Sequence, residues 1–185
     1  MKKVLLLSLS AFVIFLTACS GDAKQTEEKP KEKTATTVER EEKKDESKVL
    51  EDDTAVLTDI DVKILETDFL PVGTYEHQET DQLIVTYEVT NKSDKEITPL
   101  IGYLAAFEAY QEDENSERNL EVGVTPFNLE KYSFASETQF DNIKNGGTVK
   151  NIVAYDLRDT ETPVILRATK GIDGDLLGEI VVNLK

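Results

Sequence analysis

The sequence predicts an all-β fold in which two sheets pack face to face. After Thr54, apolar and polar residues alternate along most of the chain, and a period of two is typical of strands with one buried face. Groups rich in Asn, Asp, Gly and Pro separate the alternating stretches and favour turns. We therefore predict a sandwich of about seven to eight short strands.

Five stretches show this alternation clearly. The predicted strands are residues 60–64, 83–89, 149–157, 164–168 and 180–184. Between the last two of these strands, the segment Asp173-Gly174-Asp175 has the composition that a hairpin turn requires.

Residues 97–110, ITPLIGYLAAFEAY, are apolar enough for either a buried helix or a buried strand. Pro99 and Gly102 disfavour a helix, so we predict one long central strand. A second, short strand is expected at residues 119–122. Alternate residues of the central strand would form one apolar face: Ile101, Tyr103, Ala105, Phe107 and Ala109.

Residues 1–18 have the organisation of a lipoprotein signal peptide. Two lysines precede the apolar run 4–16, and Leu16, Thr17 and Ala18 lead directly to Cys19, the only cysteine. The run is too short to span a bilayer, which requires about 20 apolar residues. We predict cleavage before Cys19 and a covalent diacylglycerol on its sulfur, which anchors the protein to the membrane.

Residues 19–53 are expected to form a disordered tether, because lysine and acidic residues dominate and large apolar residues are almost absent. The domain at residues 54–185 has 25 acidic and 11 basic residues, a net charge of −14. Such a charge disfavours nucleic acid and attracts basic partners. Because Cys19 carries the lipid, the domain has no disulfide and depends on its apolar core.

Several short motifs follow one another through the predicted domain. They are YEVTNKS at 87–93, FEAYQ at 107–111, GGT at 146–148, AYDLRD at 154–159 and TPV at 162–164. In this order they resemble a group of Gram-positive surface lipoproteins with a small immunoglobulin-like domain of unknown function. The resemblance implies an immunoglobulin-like sandwich on the extracytoplasmic face of the cell membrane, and it supplies no catalytic residues.

Two acidic clusters are candidate cation sites, because Ca²⁺ prefers closely spaced oxygen ligands. Neither fits the twelve-residue calcium loop, and the alternative for both is a solvated turn. We predict no metal and no cofactor other than the lipid on Cys19. The candidate residues are Glu112, Asp113 and Glu114 in one cluster and Asp173 and Asp175 in the other.

Four aromatic residues crowd an irregular segment: Phe127, Tyr132, Phe134 and Phe140. They form either a partner-binding surface or a plug over the core. The only histidine, His77, lies in a polar loop, and no nucleophile motif accompanies it. No catalytic residue is predicted.

The function predicted from the sequence is a lipid-anchored binding module at the cell envelope. It is expected to be monomeric and to bind an unidentified protein or peptide, for which a basic partner suits the acidic domain. One alternative is a cation- or solute-binding accessory lipoprotein of a membrane transporter, for which a sandwich without a cleft is a poor scaffold. Others are a wall hydrolase and a peptide pheromone released from residues 11–18.

Overall fold

Two four-stranded antiparallel sheets make up most of the described part of the protein, as the sequence predicts. A computed structural model describes residues 50–184, so the predicted signal peptide, Cys19 and the tether as far as residue 49 lie outside the described residues. The strands are β1 (Thr54–Val56), β2 (Ile60–Leu70), β3 (Gln82–Asn91), β4 (Phe107–Glu112), β5 (Glu117–Asn119), β6 (Thr148–Asp156), β7 (Val164–Thr169) and β8 (Leu176–Val182). Sheet I has the order β1-β2-β3-β6 and sheet II the order β5-β4-β7-β8.

The main core lies between the two sheets. Alternate residues of β3 point into it, because successive side chains of a strand face opposite sides of the sheet. Three tyrosines meet there, namely Tyr87, Tyr103 and Tyr155. The rings of Tyr87 and Tyr103 have centroids 4.4 Å apart. The buried residues of β3 on this face are Leu83, Val85, Tyr87 and Val89.

A second apolar cluster covers the outer face of sheet I. Ile84 of β3 and Ile152 of β6 are fully buried there. Tyr132 and Ala135, from the 3₁₀ helix Glu130–Ala135, pack on top of them. Strand β3 is therefore covered on both faces along most of its length.

The predicted long strand at 97–110 is wrong. A helix, α1 (Pro99–Ala106), comes first, and β4 begins only at Phe107. Thr98 caps the helix, since its hydroxyl accepts a hydrogen bond from the N–H of Ile101 at 3.3 Å. Proline is tolerated in the first turn of a helix, where its missing N–H would have no partner. The sequence argument treated Pro99 as a helix breaker, but it marks the start of the helix.

The short strand also differs from its predicted position. Strand β5 covers Glu117–Asn119, whereas Val122 forms an isolated antiparallel bridge with Tyr155 of β6. The backbone at residues 117–122 thus pairs first with sheet II and then with sheet I. A pattern of alternating residues does not show that the chain changes sheets within so few positions.

Leu50 packs into the main core although it lies in the part assigned to the tether. It is 7% exposed, and its N–H donates to the carbonyl oxygen of Glu179 in β8 at 3.4 Å. The 3₁₀ helix Glu51–Asp53 then leads into β1. The described fold therefore extends to at least four residues before Thr54.

Candidate functional site

An open cleft of about 620 Å³ lies between the β1–β2 turn, helix α1 and the β7–β8 turn. This volume is in the range of small-molecule sites. The rim carries charged residues, namely Asp59, Lys95 and Lys170. The walls are mainly apolar: Val56, Leu57, Ile60, Ile97, Ile101 and Ala105.

Helix α1 supplies one wall and has no charged residue along its length. Its exposed side is apolar, since Ile101 is 60% and Leu104 is 40% exposed. A surface helix ordinarily presents polar residues to solvent. This uncharged, exposed face is the feature that favours the cleft as a place where another molecule docks.

The helix approaches sheet I closely because Gly102 has no side chain. A Cβ at this position would lie 2.7 Å from Cγ1 of Val89. Gly102 thus lets α1 pack against β3, while Ile101 and Ala105 line the cleft.

Two lysines hold the β1–β2 turn at the rim of the cleft. Lys95 Nζ lies 2.6 Å from Asp59 Oδ2. Lys92 Nζ lies 2.6 Å from Asp61 Oδ1 and donates to the carbonyl oxygen of Leu57 at 2.7 Å. These contacts fix the polar side of the cleft before any ligand enters.

The four predicted aromatic residues do not form one surface. Tyr132 is buried and Phe127 is half-buried, and both pack over the outer face of sheet I. The Tyr132 hydroxyl donates to Asp68 Oδ2 at 2.8 Å, and burial raises the pKa of Tyr132. Phe134 and Phe140 are exposed, at 39% and 74%. The segment acts mainly as a cover, which was one of the two alternatives.

In the first acidic cluster, two carboxylates have partners within the fold. Glu112 Oε1 lies 3.0 Å from Nη2 of Arg167. Asp113 accepts hydrogen bonds from the N–H of Asn115 at 2.8 Å and from Arg158 Nη2 at 2.8 Å. The Asn115 N–H, followed by Arg158 and the Ser116 hydroxyl, holds the pKa of Asp113 well below its usual range.

The second acidic cluster forms the β7–β8 turn. Asp173 has a φ of 57°, and the carbonyl oxygen of Asp175 accepts the N–H of Lys170 at 3.0 Å. Within residues 50–184, no three His, Cys, Asp or Glu side chains are grouped so that they could hold a metal ion. His77, for which no catalytic role was predicted, is exposed beside Glu76.

A smaller cavity of about 260 Å³ lies near the end of β6. Arg118, Arg158 and Asp156 are among its lining residues. Asp156 Oδ1 already accepts hydrogen bonds from Thr80 at 2.9 Å and from Gln82 at 2.7 Å. The larger apolar cleft is therefore the better candidate site.

Sequence reasoning missed the cleft because it assigned α1 to a strand. The available signal was Leu100, Ile101 and Leu104, which fall on one side of a helix that starts after a Thr-Pro cap. The walls from the two turns come from distant parts of the chain, and no local pattern brings them together.

The fold has similar solved structures. One is a protein from Staphylococcus aureus subsp. aureus NCTC 8325, provisionally named a lipoprotein, with a TM-score of 0.62 and 21% identity over 73% of this chain and 90% of that one. Another is a protein from Enterococcus faecalis, with a TM-score of 0.55 and 17% identity over 76% of this chain and 95% of that one. At these identities the likeness shows the fold alone.

No curated protein matches the chain. A family model described as a domain of unknown function, DUF5067, matches residues 23–170. The match covers most of the chain, and the protein belongs to the DUF5067 family.

Proposed function

We propose that the protein is a lipid-anchored binding module on the extracytoplasmic face of a Gram-positive type of cell membrane. The motif Leu16-Thr17-Ala18-Cys19 supports a diacylglycerol anchor on Cys19. The provisional name of the similar Staphylococcus aureus protein agrees with this anchor. No helix within residues 50–184 is long and apolar enough to cross a membrane.

The apolar cleft beside α1 is the observation that carries the binding role. It combines a concave shape and mainly apolar walls, in which Val56 and Ile101 are exposed. Burial of such surface is the main favourable contribution to association. The cleft receives an apolar part of a ligand or of a partner protein, and the acidic domain adds attraction for basic groups around it.

A second candidate is an accessory lipoprotein that binds a solute for a membrane transporter. A sandwich was expected to lack a cleft, which would make it a poor scaffold for this function. The cleft of about 620 Å³ overturns that expectation, so a small apolar solute is a second class of ligand for the same site.

The anchor is tested by Cys19→Ser in the native host. We expect the wild-type protein in the membrane fraction and the variant in the culture supernatant. Mass spectrometry of the wild-type amino-terminal peptide should show a diacylglycerol on Cys19. Wild-type protein found wholly in the supernatant, with an unmodified cysteine, would contradict the anchor.

The cleft is tested with the neutral apolar dye Nile red. The mature chain carrying Cys19→Ser avoids detergent, and Ala105→Trp fills the cleft from its wall. Leu104→Trp is the matched control, because Leu104 is a neighbouring exposed residue outside the cleft lining. Circular dichroism establishes that both variants are folded.

We expect Nile red fluorescence to rise with the parent chain and with Leu104→Trp, and to fall with Ala105→Trp. Equal fluorescence with all three chains would place the dye elsewhere and count against the cleft. A parent chain that does not bind the dye would contradict the binding role of this site.

A further inference from the structure

We propose that the cleft selects single-chain amphiphiles with a carboxylate head group, which pairs with Lys170 while the chain lies along the apolar wall of α1. This inference rests on the binding role proposed for the cleft, and it adds the chemical class of the ligand. Three observations carry it.

The first observation is the state of the cationic side chains. Residues 50–184 contain ten lysines and arginines, and most of them form ion pairs with carboxylates. Lys150 lies over the ring of Phe134 instead, at 5.0 Å. Within the described part, three cations have neither an ion pair nor a ring contact: Arg118, Lys144 and Lys170. Of these three, Lys170 alone lines the cleft.

The second observation is how the other charges at the cleft are used. Lys95 is already paired with Asp59 at 2.6 Å. Asp173 and Asp175 follow Lys170 in the same turn, but neither carboxylate forms an ion pair with its ammonium group in the described structure. The ammonium of Lys170 is therefore available to an anion that enters the cleft.

The third observation is the contrast between the walls and the rim. The α1 wall has no charged residue, so a charged group is favoured only at the rim. An amphiphile matches this arrangement, because its chain removes apolar surface from water and its head group stays at the edge.

The negative charge of the domain does not exclude an anionic head group. At physiological ionic strength, exposed charges separated by more than about 8 Å are largely screened. A head group in contact with Lys170 thus responds mainly to nearby charges: the Lys170 ammonium attracts it, and Asp173 and Asp175 of the same turn oppose this attraction. The head group is oriented by a charge-assisted hydrogen bond, which is stronger than a neutral one.

The experiment compares dodecanoate, dodecanol and dodecyltrimethylammonium by calorimetry, with the two ionic amphiphiles below their micelle concentrations and dodecanol below its solubility limit. The protein is the mature chain with Cys19→Ser, alone or with Lys170→Gln. Lys144→Gln is the matched control, because Lys144 also has no ion pair within residues 50–184 and does not line the cleft. A fourth titration uses vesicles of neutral and anionic phospholipids.

We expect the parent chain to bind dodecanoate more tightly than dodecanol and the cationic amphiphile. Lys170→Gln should weaken dodecanoate binding about three- to fivefold, as for a partly exposed ion pair, and leave dodecanol binding unchanged. Lys144→Gln should have no effect. Dodecanoate binding to the parent chain should weaken as salt is added.

Equal binding of the three amphiphiles, or an unchanged affinity of Lys170→Gln for dodecanoate, would overturn the inference. In that case, lower Nile red fluorescence with Ala105→Trp than with the parent chain would still support the binding cleft. Binding to vesicles but to none of the three monomers would also overturn it, in favour of a membrane surface. Failure of both Nile red and the amphiphiles to bind would contradict the inference and the proposed function together.

Discussion

Gly102 of α1 and Val89 of β3 lie so close that a Cβ on Gly102 would be 2.7 Å from Val89 Cγ1. Val89 is fully buried, and its branched side chain has little rotamer freedom. Gly102→Ala should therefore lower the free energy of unfolding by about 1–3 kcal/mol, although alanine favours a helix. Urea denaturation measures the change.

The control for Gly102→Ala is Leu104→Ala on the exposed side of the same helix. It removes a partly exposed side chain and introduces no contact with β3. A Gly102→Ala variant as stable as the wild type would show that α1 can move away from the sheet, and that the cleft wall is adjustable.

Tyr87 has a buried hydroxyl without a hydrogen-bond partner in the described structure, and burial raises its pKa. An unsatisfied buried polar group opposes folding. Tyr87→Phe keeps the ring and should raise the free energy of unfolding by up to about 1 kcal/mol. Tyr132→Phe, which removes a hydrogen bond to Asp68, should lower it by about 0.5–1.5 kcal/mol. A destabilising Tyr87→Phe would indicate that this hydroxyl is satisfied in solution.

Within the aromatic segment, Tyr132 should stabilise the fold and Phe140 should contribute little to its stability. Tyr132→Ala opens the cover over Ile84 and Ile152 and should cost about 3–5 kcal/mol, as for other large aromatic truncations. Phe140 is 74% exposed, and Phe140→Ala should change stability by less than about 0.5 kcal/mol. Thermal and urea unfolding measure both. Similar losses at the two positions would contradict the division.

We expect the Asp113 carboxylate to make a contribution to stability that depends on pH. Its pKa is lowered in the folded protein by the Asn115 N–H, Arg158 and Ser116. The contribution is complete above the ordinary aspartate pKa, about 3.9, and is lost as pH falls through the lowered folded pKa. Asp113→Asn should thus reduce the melting temperature most near pH 7 and progressively less in acid.

The control for Asp113→Asn is Glu114→Gln, because Glu114 is an exposed carboxylate in the same turn. Its melting temperature should follow that of the wild type at every pH. A difference between wild type and Asp113→Asn that stays constant down to pH 2 would contradict a role for the Asp113 charge.

The alternation of residues predicted most strands because it depends on neighbours in the chain. Val85, Tyr87 and Val89 point to the core at the spacing that a half-buried strand requires. The outer residues of β3 carried a weaker signal. Ile84 is buried on the outer face of the strand, and its cover, including Tyr132, comes from almost fifty residues later.

Residues 97–106 could not be assigned by composition, because a short apolar run is compatible with a helix or a strand. The decision depends on Thr98 as a cap and on the contact of Gly102 with Val89. The first is a contact between residues close in sequence, and the prediction of a strand from Pro99 did not take it into account. The second is a tertiary contact, and the cleft depends on it.

Strand β3 lies between β2 and β6 and has an apolar layer on each side. The amide hydrogens along most of its length are consequently shielded from solvent, and we expect their exchange with deuterated water to be among the slowest in the described fold. Helix α1 packs on this strand through the contact of Gly102 with Val89, so the wall of the cleft is backed by a strand that is covered on both faces.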